Sequence, residues 1–488
     1  MRSPAERLAG EPAVGAVREA LVAEGDDAGP TAWIVGGTVR DAALGRPVRD
    51  VDLAVAGDPE RAARAVARRV RGPVFPLSEA FGAWRALDRR SGWACDVSAL
   101  RGPSIETDLA ERDFTVNAVA VPLAGGAPID PLGGLRDLER GLLRVVGGPS
   151  LERSSLAADP LRPLRLARLA TELPLIPDPE AERLTRAAAS RVVEASPERV
   201  FAELRRIVVA EGVVEGVVLA DRLGLLGAVL PELDALRGVD QSRFHHLDVH
   251  GHTLEVLSRQ VELEGRLEEV FGEEPAGALG RVLAEPLGDE LTRGQALRLG
   301  ALLHDIGKPA TRGVREDGRV TFLGHDRVGA DMVAALCRRL RTSERLRTFL
   351  SALAGTHLIL GFLVHERPLS RRAIYRYLTA CEPVEVEVTL LSCADRLATR
   401  GRGHERAIAA HLELARELMV ESLAWRAAGG APSPPVRGDD LTEQLAMSPG
   451  PELGRLLGAL SEATFAGEVT DRASAVELAR RLRDNPDG

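Results

Sequence analysis

Lysine is almost absent from this 488-residue sequence: Lys308 is the single one, and the remaining cationic side chains are arginines apart from a few histidines. Arginine binds phosphate through a planar fork of donors, whereas lysine acts as a point charge. The formal net charge of −9 by itself argues mildly against a nucleic-acid-binding protein. An arginine-rich surface on a net acidic chain could still bind RNA, so the charge sum does not exclude that class.

Cysteine, aromatic residues and long apolar runs are also scarce. The four cysteines have no C-x-x-C pairing, which excludes a disulfide framework and indicates buried thiols in a reducing compartment. Aromatic residues make up only 3%, and the abundant Ala, Leu, Arg and Val favour helices packed through aliphatic side chains. No apolar run approaches the ~18 residues that a membrane span needs. We therefore expect a cytoplasmic protein with no membrane partner.

The sequence pattern divides the chain, which is too long for one core. Residues 28–148 alternate short strands and helices, residues 149–238 form helices broken by prolines, and residues 239–400 form a second helical set with one hairpin near 311–324. A Pro-rich linker and a helical tail follow over 428–488. The predicted class is α+β: a small β/α head, an all-α neck, a larger helical domain and a helical tail.

Two aspartates alternate along the predicted strand 50–55. Residues i and i+2 of a strand project from the same face, so the carboxylates of Asp50 and Asp52 point the same way. Such oxygen ligands suit Mg²⁺, and two ions about 3.5–4 Å apart can activate an attacking hydroxyl and stabilise a leaving pyrophosphate. A D-x-D pair alone is more often a pair of solvated acids, so the prediction depends on its surroundings.

Glycines and a further acid supply those surroundings. Gly36 and Gly37 stand where a short strand turns into a helix, a position at which backbone amides can approach a phosphate closely. Asp96 lies in a second predicted strand and could supply a third carboxylate near the hydroxyl that loses its proton. The alternative for Asp96, a surface acid on a strand, stays open.

Five motifs, in order along the chain, resemble those of class II tRNA nucleotidyltransferases and bacterial poly(A) polymerases. They are residues 36–41 with Asp50-x-Asp52, 112–118, 130–134 with 137–138, 158–165, and 196–200 with 203–204. Residues 241, 245–249 and 449–451 extend the likeness over nearly the whole chain. The resemblance implies an enzyme that uses Mg²⁺ at Asp50 and Asp52, CTP and ATP as substrates, and tRNA, not DNA, as partner.

The resemblance also implies roles for individual residues. It assigns nucleotide binding to six residues of the first two motifs, Gly36, Gly37, Arg40, Arg112, Asp113 and Asn117. In the second motif the Arg, Asp and Asn hold the triphosphate and ribose, and the third motif acts as a hinge.

The fourth motif leads to a hypothesis for base selection. Asp159 and Arg162 are three residues apart and share a face of a first helical turn. A carboxylate and a guanidinium fit the amino group and the acceptor of cytosine or adenine. Uracil and guanine present a carbonyl to the carboxylate instead, which leaves buried acceptors unpaired and costs roughly 1–3 kcal/mol of binding free energy. Arg165 and Arg168 continue the helix and are expected to face phosphates. Alternatively, Asp159 before Pro160 is simply a helix N-cap.

Three departures from the family pattern concern specificity. Ala158 and Glu111 replace the usual acid and arginine of the fourth and second motifs. Only residues 100–106 separate the strand of Asp96 from the helix before the second motif. Family members that add a complete CCA usually have a longer, flexible loop there, which helps the switch from C to A. The short segment makes a CC-adding enzyme a real alternative.

A second constellation resembles the HD phosphohydrolase superfamily. Adjacent His304 and Asp305 close an apolar run, and the resemblance adds one His and one Asp from other helices, His252 and Asp395. Such a mixed N/O set suits a divalent transition metal. His325 and His357 correspond to positions where some HD enzymes bind a second metal, or they are ordinary histidines. Three further histidines are expected to be structural or at the surface: His245, His246 and His250.

We therefore expect a template-independent nucleotidyltransferase that adds C, A or both to the 3′ end of tRNA by a two-metal mechanism. A poly(A) polymerase or a CC-adding enzyme of the same superfamily is the alternative within this class. From a different class, the alternative is an HD phosphohydrolase that acts on RNA 2′,3′-cyclic phosphate ends.

Overall fold

The fold is that of a computed structural model, which describes residues 3–22, 31–78, 82–241, 247–400 and 404–484. The chain divides into two compact units, Met1–Val229 and Leu230–Gly488. The expected α+β class is confirmed, because the first unit holds a six-stranded sheet and the second is mostly helical. His245 and His246 lie outside the described residues.

The strands are short and most lie in the first unit. They are β1 (Ala32–Val35), β2 (Asp50–Val55), β3 (Val74–Ser78), β4 (Ala83–Asp88), β5 (Trp93–Ala99), β6 (Ala120–Pro122), β7 (Leu142–Leu143), β8 (Ile176–Pro177), β9 (Pro286–Gly288), β10 (Leu291–Thr292), β11 (Arg312–Val314) and β12 (Val320–Phe322).

The α-helices make up most of the rest of the described chain. They are α1 (Pro4–Ala9), α2 (Pro12–Val22), α3 (Gly36–Leu44), α4 (Pro59–Val70), α5 (Ile105–Ala110), α6 (Gly134–Arg140), α7 (Arg162–Glu172), α8 (Pro179–Ala188), α9 (Pro197–Val209), α10 (Val213–Arg222), α11 (Leu225–Val229), α12 (Pro231–Asp234), α13 (Val249–Glu264), α14 (Leu267–Phe271), α15 (Glu273–Ala284), α16 (Arg293–Leu303), α17 (Lys308–Thr311), α18 (His325–Arg339), α19 (Glu344–Thr356), α20 (Ile359–Leu363), α21 (Arg371–Cys381), α22 (Glu385–Ala398), α23 (His404–Ala428), α24 (Gly438–Leu445), α25 (Pro451–Phe465) and α26 (Arg472–Asp484).

The sheet of the first unit has the strand order β3-β4-β5-β2-β1-β6. β2 and β5 pair in parallel, and the other neighbours in this sheet pair antiparallel. The strand predicted over 50–55, the short strand before Gly36 and the strand predicted around Asp96 are confirmed as β2, β1 and β5. The two edge strands, β3 and β6, were not expected. Pro76 interrupts the first and Pro122 ends the second, and proline in a strand is tolerated chiefly at a sheet edge.

The two faces of this sheet have different roles. Val51, Leu53 and Cys95 point into a large core with residues of α2 and α4. On the opposite face, Ala54 belongs to a smaller cluster with Ile105 and other residues at one end of the strands. Because side chains alternate along a strand, Asp50 and Asp52 project from the same face as Ala54, beyond the end of this smaller cluster.

The second unit packs its helices around α13, α16, α19 and α22. The hairpin expected near 311–324 is present as β11 and β12, and the helical tail beyond the linker forms its own small core over 436–479. β9 and β10 form a short antiparallel pair that was not expected, because neither strand has an alternating pattern. Such short pairings depend on their surroundings and leave little periodicity in the sequence.

One stretch of the second unit departs from the expectation that no apolar run is long enough to span a membrane. Residues Glu344–Glu366 are long and apolar enough to cross a membrane by length and composition, with a mean hydropathy of 1.5. In the structure, however, α19 ends at Thr356 and a separate helix begins at Ile359. Phe349 and Leu353 are buried among the helices of this unit, so α19 is a core helix of this unit.

Candidate active site and metal centre

The register of β2 on β5 brings the predicted carboxylates together. Asp52 pairs directly with Asp96, and Asp50 pairs with Ala94, whose amide donates to Asp50 Oδ1 at 3.3 Å. Directly paired residues project from the same face of a sheet. Three carboxylates therefore share one face at the start of the parallel strand pair, as a site for hard cations requires.

The strand-to-helix turn at Gly36 closes one side of this acidic cluster. The Gly37 amide donates to Asp52 Oδ2 at 3.2 Å. Gly36 has φ +65°, and a Cβ there would lie 3.0 Å from the Arg112 guanidinium and 3.1 Å from Asp52 Oδ2. Glycine is thus needed for both its conformation and its close approach to a charged site.

Thr38 is a positioning residue that the sequence argument did not assign. Its Oγ1 donates to the Asp50 carbonyl at 3.1 Å and accepts from the Asp52 amide at 2.8 Å. These two hydrogen bonds connect α3 to the backbone of β2 on both sides of Val51. A hydroxyl three residues into a Gly-Gly turn was the available signal, because threonine can bond to nearby backbone in this way.

The clustering of charge changes the acidity of Asp52. Burial and the neighbouring Asp96 carboxylate raise the pKa of Asp52 to about 6, against the lowering effect of Arg112 and Arg40. Burial disfavours the charged form of a carboxyl group, and a nearby like charge adds to that cost. A bound divalent cation would remove this cost. The raised pKa of Asp52 therefore favours a metal at this position.

Arg85 is a second residue that the sequence argument missed. It lies on β4, pairs with Asp96 across the ladder and donates to both carboxylate oxygens, each at 2.6 Å. This bidentate geometry is the strong form of an arginine–carboxylate pair. Asp96 is therefore ion-paired and lies beside Asp52, and its role as a third carboxylate stays a prediction.

The residues of the second motif form a connected hydrogen-bond network next to the glycine turn. Arg40 donates to Asn117 Oδ1 at 2.8 Å, and Asn117 Nδ2 donates to Asp113 Oδ1 at 2.9 Å. Arg112 is oriented by the buried Asp108, through distances of 2.8 and 3.0 Å to one carboxylate oxygen. Asp108 is a further positioning residue that the sequence argument did not assign.

Asp113 links this network to the neck helix α7. Its Oδ2 accepts from Arg165 at 3.0 Å. Burial by itself raises the pKa of Asp113, but Arg165 and Asn117 outweigh it and hold the pKa at about 2. The carboxylate is therefore charged at neutral pH, and it accepts hydrogen bonds from the two motifs at once.

The fourth-motif residues are near one another but already paired. Asp159 Oδ2 accepts from Arg199 at 2.6 Å, and its Oδ1 accepts from the Leu161 amide at 3.0 Å. Arg162 is buried and donates to the Ser155 and Glu111 carbonyls at 2.8 and 3.0 Å. The N-cap alternative needs correction, because α7 begins only at Arg162 and Asp159 bonds within the preceding turn.

Arg168 does not fit the expectation that it faces a phosphate. It is 7% exposed, and its guanidinium lies 2.7 Å from Glu203 and 3.6 Å from Glu172. Two carboxylates already neutralise this one cation, and burial lowers its pKa to about 10. Through Glu203, Arg168 links α7 to α9. Its position six residues after Arg162 did not indicate that its side chain faces the interior.

In the second unit, five helices bring six predicted residues into one buried cluster. His252 Nε2 is 2.9 Å from Asp395 Oδ1. The ligand atoms of His252, His304 and Asp305 lie within 4.8 Å of one another, and so do those of Asp305, His325 and His357. Asp305 thus belongs to both groups of three. His325 and His357 are buried members of this cluster and therefore not surface histidines, and their role as ligands of a second metal stays a prediction.

The imidazole rings of this cluster are oriented in the same way. The Nδ1 atoms of His304, His325 and His357 each lie 2.6 to 2.9 Å from the carbonyl three residues earlier. Their Nε2 atoms are buried and face the Asp305 carboxylate, at 3.2 Å for His304, 3.3 Å for His325 and 3.7 Å for His357. A backbone bond at Nδ1 leaves Nε2 as the lone-pair donor, the usual arrangement of a metal-binding histidine.

Lys308, the single lysine of the chain, lies at the edge of the cluster. Its Nζ is 2.6 Å from Asp305 Oδ2 and donates to Gln241 Oε1 at 2.8 Å. A cavity of about 650 Å³ opens beside it and is also lined by Arg396, Arg406 and His411. Burial lowers the pKa of His357 in this cavity to about 4, so its ring is neutral at physiological pH and able to bind a metal.

Comparison with protein families finds three matches in the order of the predicted domains. The Poly A polymerase head domain matches residues 32–101 and 86–144. The probable RNA and SrmB-binding site of polymerase A matches residues 175–237, and the HD domain matches residues 250–400.

Curated relatives match almost the full chain. An A-adding tRNA nucleotidyltransferase of Deinococcus radiodurans is 34% identical over 94% of this chain and 97% of its own length. A CC-adding tRNA nucleotidyltransferase of Thermus thermophilus is 35% identical over 91% of this chain and 92% of its own. A multifunctional CCA protein of Paracidovorax citrulli is 30% identical over 86% and 98%.

Solved structures show the same fold at lower identity. The Thermotoga maritima CCA-adding enzyme complexed with tRNA has a TM-score of 0.64 at 18% identity and covers 99% of both chains. A CCA-adding enzyme in complex with CTP has a TM-score of 0.63 at 17% identity and covers 100% of this chain and 99% of its own.

The raised pKa of Asp52 predicts a pH-dependent metal affinity in the head. Protonation neutralises a ligand, so Mn²⁺ affinity should be constant above about pH 7 and fall about tenfold per pH unit below about pH 6. Electron paramagnetic resonance of bound Mn²⁺ measures this affinity. The protein carries Asp305→Asn as a background substitution, which removes the shared carboxylate of the histidine cluster. Asp52→Asn is the control that lacks the group, and equal affinity for the parent protein from about pH 5 to 8 contradicts the assignment.

Proposed function

The chain belongs to the tRNA nucleotidyltransferase family, and from that premise we propose that it adds C, A or both to the 3′ end of tRNA. The observation that supports this most directly is the Asp52–Asp96 pair beside the Gly36–Gly37 turn. The carboxylates bind cations, the turn fits a triphosphate, and both lie on one face of the sheet. In this reaction the RNA 3′-hydroxyl attacks the α-phosphate of the nucleotide and pyrophosphate leaves.

Mg²⁺ fits the head because the donor set consists of carboxylate oxygens and because clustered negative charge raises the pKa of Asp52. Asp50 and Asp52 would hold it, and it supplies activation of the hydroxyl and stabilisation of the pyrophosphate when bound. The amide of Gly37 and the guanidinium of Arg112 approach Asp52 from the side of α3. They are placed to bind the triphosphate oxygens, while Arg40 and Asn117 bind the ribose and phosphates.

Asp96 would accept the proton of the attacking hydroxyl or help to hold the cation that lowers its pKa. In the structure both of its oxygens accept from Arg85. Arg85 therefore acts as a positioning residue, because its two hydrogen bonds fix the plane of the carboxylate. Removal of its guanidinium would leave Asp96 beside Asp52 without its ion-pair partner.

We propose that the chain divides into a nucleotidyltransferase head (28–148), a helical neck (149–238), an HD domain (239–400) and a linker with a helical tail (428–488). The head and HD matches, and the RNA-binding match at 175–237, each lie within one of these ranges. The long helix α23 occupies most of residues 401–427.

The short segment after β5 supports a preference for C over A. The strand ends at Ala99 and α5 begins at Ile105. Asp108 Oδ1 accepts from the Arg101 amide at 3.2 Å, and Ser104 caps the helix. A tightly bonded connection of this length cannot act as a long lever during a switch between bases. The loop around Ser78–Gly82, the other element that could assist, lies partly outside the described residues.

The central test is incubation with a tRNA that lacks its CCA end and with each nucleotide separately. We expect C to be added to this acceptor, and A to be added to a tRNA ending in CC markedly more slowly. Asp52→Asn should reduce addition by roughly 100-fold or more, because a metal ligand is lost. Products resolved to one nucleotide on a gel and single-turnover rates for the C and A steps give the measurement.

The outcomes separate the alternatives. Comparable C and A rates at saturating nucleotide contradict the proposed preference, and rapid A addition with no C addition indicates an A-adding enzyme. Long A tails on unrelated RNA ends indicate a poly(A) polymerase. An Asp52→Asn rate within about tenfold of the parent protein contradicts the proposed metal site itself.

We propose that Asp159 and Arg162 select the base after they exchange their present partners. Asp159 would leave Arg199, and Arg162 would leave the Ser155 carbonyl, to bind the amino group and acceptor of cytosine or adenine. Uracil and guanine would place a carbonyl against the carboxylate, at a cost of about 1–3 kcal/mol. Arg165 lies one turn further along α7, paired with Asp113, and would contact the phosphates.

A matched pair of variants tests base selection. Asp159→Asn should raise UTP incorporation relative to CTP by about 5- to 100-fold, since an amide can donate to a carbonyl where the carboxylate cannot. Arg199→Ala removes the ion pair with Asp159 but leaves the carboxylate, so it should preserve selectivity. Competition between radiolabelled CTP and UTP gives the ratio. If both variants relax selection equally, or neither does, Asp159 has only a structural role.

A second function, metal-dependent phosphohydrolysis at the HD cluster, is supported by its buried Nε2 atoms. The ring nitrogens and the shared Asp305 fit divalent transition metals, and two groups of three ligands suit two ions. A metal there supplies an activated water when bound. Lys308, Arg396 and Arg406 line the adjoining cavity and would bind the phosphate oxygens of an RNA 2′,3′-cyclic phosphate end.

Metal content tests this second proposal independently of nucleotide addition. The parent protein, stripped and then titrated with Co²⁺, should bind two ions with histidine ligands, and His357→Ala should bind one. Asp305→Asn should lose both, because its carboxylate is common to the two groups. Visible absorption of bound Co²⁺ reports the count, and preserved CTP incorporation shows that each variant is folded. A single ion in the parent protein contradicts the two-ion arrangement.

A further inference from the structure

A row of four paired residues crosses the head sheet and ends in an exposed aromatic ring. Asp52 on β2 pairs with Asp96 on β5, Asp96 pairs with Arg85 on β4, and Arg85 pairs with Phe75 on the edge strand β3. Phe75 is 40% exposed. In a chain with only 10 phenylalanines, a ring at the surface beside acidic residues has no evident role in packing.

The register places Phe75 on the same face as the carboxylates. Side chains of directly paired residues project to one side, and successive residues alternate. The next row along the sheet, Val74–Ala86–Cys95–Val51, belongs to the core on the opposite face. The ring of Phe75 is therefore on the catalytic side of the sheet, with Arg85 between it and Asp96.

The spacing of strands gives the distance from this ring to the proposed chemistry. Adjacent strands lie about 4.8 Å apart, so the backbone of Phe75 is about 10 Å from that of Asp96 and about 14 Å from that of Asp52. A single nucleotide, with its 3′-hydroxyl near Asp96 and its base directed across β4, can bridge the shorter of these distances.

We propose that Phe75 is a stacking platform for the base of the 3′-terminal nucleotide of the RNA acceptor. The inference rests on the proposed function, because it assumes that an RNA 3′-hydroxyl lies at Asp96. Aromatic side chains bind single-stranded ends by stacking on bases, and stacking is tolerant of base identity. Such tolerance suits an enzyme whose acceptor end changes after each addition.

The acceptor is a better occupant of this position than the incoming nucleotide. The residues proposed for the triphosphate, Gly37 and Arg112, approach Asp52 from the side of α3, which follows β1. β1 and β3 lie on opposite sides of β2 in the strand order. The half of the catalytic face that holds Arg85 and Phe75 is therefore left for the other substrate, the RNA end.

Arg85 supports this arrangement in two ways. Its guanidinium is bound to both oxygens of Asp96, so its planar group is held in place, yet the side chain is 34% exposed. A fixed cation between the ring and the carboxylate offsets the negative charge that would otherwise repel the acceptor phosphate. The aromatic ring and the cation together form a surface for one nucleotide, with the base on Phe75.

Acceptor binding and nucleotide binding are measured separately to test this. Phe75→Ala should raise the KM for a CCA-less tRNA by about 5- to 100-fold, with little change in the Kd for CTP. Phe75→Trp should restore acceptor binding, because a larger ring also stacks. Phe362→Ala is the matched control, since it removes a phenylalanine that is 67% exposed in the other unit, and it should leave both constants unchanged.

A fluorescent acceptor gives a readout that a purely structural role would not change. A tRNA whose terminal base is 2-aminopurine should lose fluorescence on binding to the parent protein and to Phe75→Trp, and lose much less on binding to Phe75→Ala. Equal quenching and equal KM in the parent and Phe75→Ala proteins overturn the inference while the proposed function stands. If the parent protein adds no nucleotide to the tRNA, the proposed function fails first.

Discussion

The parallel pairing of β2 with β5 is the constraint on which the head depends. It places Asp52 opposite Asp96 and so concentrates negative charge on one face, at a cost visible in the raised pKa of Asp52. The surrounding groups offset that cost: the Gly37 amide donates to Asp52, Arg112 and Arg40 lower the pKa of Asp52, and Arg85 donates to Asp96. A site arranged in this way favours a divalent cation, because the charge it would neutralise is already held in place.

Arginine supplies nearly all of the cationic contacts in both units, and its planar geometry explains how these contacts link different elements. Asp113 accepts from Arg165, which is also 3.5 Å from Glu203. This chain of buried charges connects the second motif to α7 and α9. Glu203 is also 2.7 Å from Arg168, so each of these carboxylates has a cationic partner, which is the condition under which buried ions are tolerated. The single lysine lies instead at the HD cluster, where a compact cation contacts Asp305.

The histidine cluster depends on helix ends. His304 and His357 follow the last residues of α16 and α19, and His325 is the first residue of α18. At these positions Nδ1 reaches a carbonyl three residues earlier, which fixes each ring and directs Nε2 toward Asp305. Gly307 permits this convergence, because a Cβ there would lie 2.2 Å from the His325 carbonyl oxygen. The close approach of two backbones is thus part of the site.

The sequence by itself determined the family, through its ordered motifs, and the alternation in 50–55 put two carboxylates on one face. Alternation along 50–55 predicted β2, because this strand buries one regular face. Only the tertiary structure decided which strand lies beside which. Strand pairing gave Asp96 its partner Arg85 and set Phe75 on the face of Asp50 and Asp52, and helix packing buried Arg168 against Glu203. Register between distant strands is a property of pairing and packing, and no local pattern encodes it.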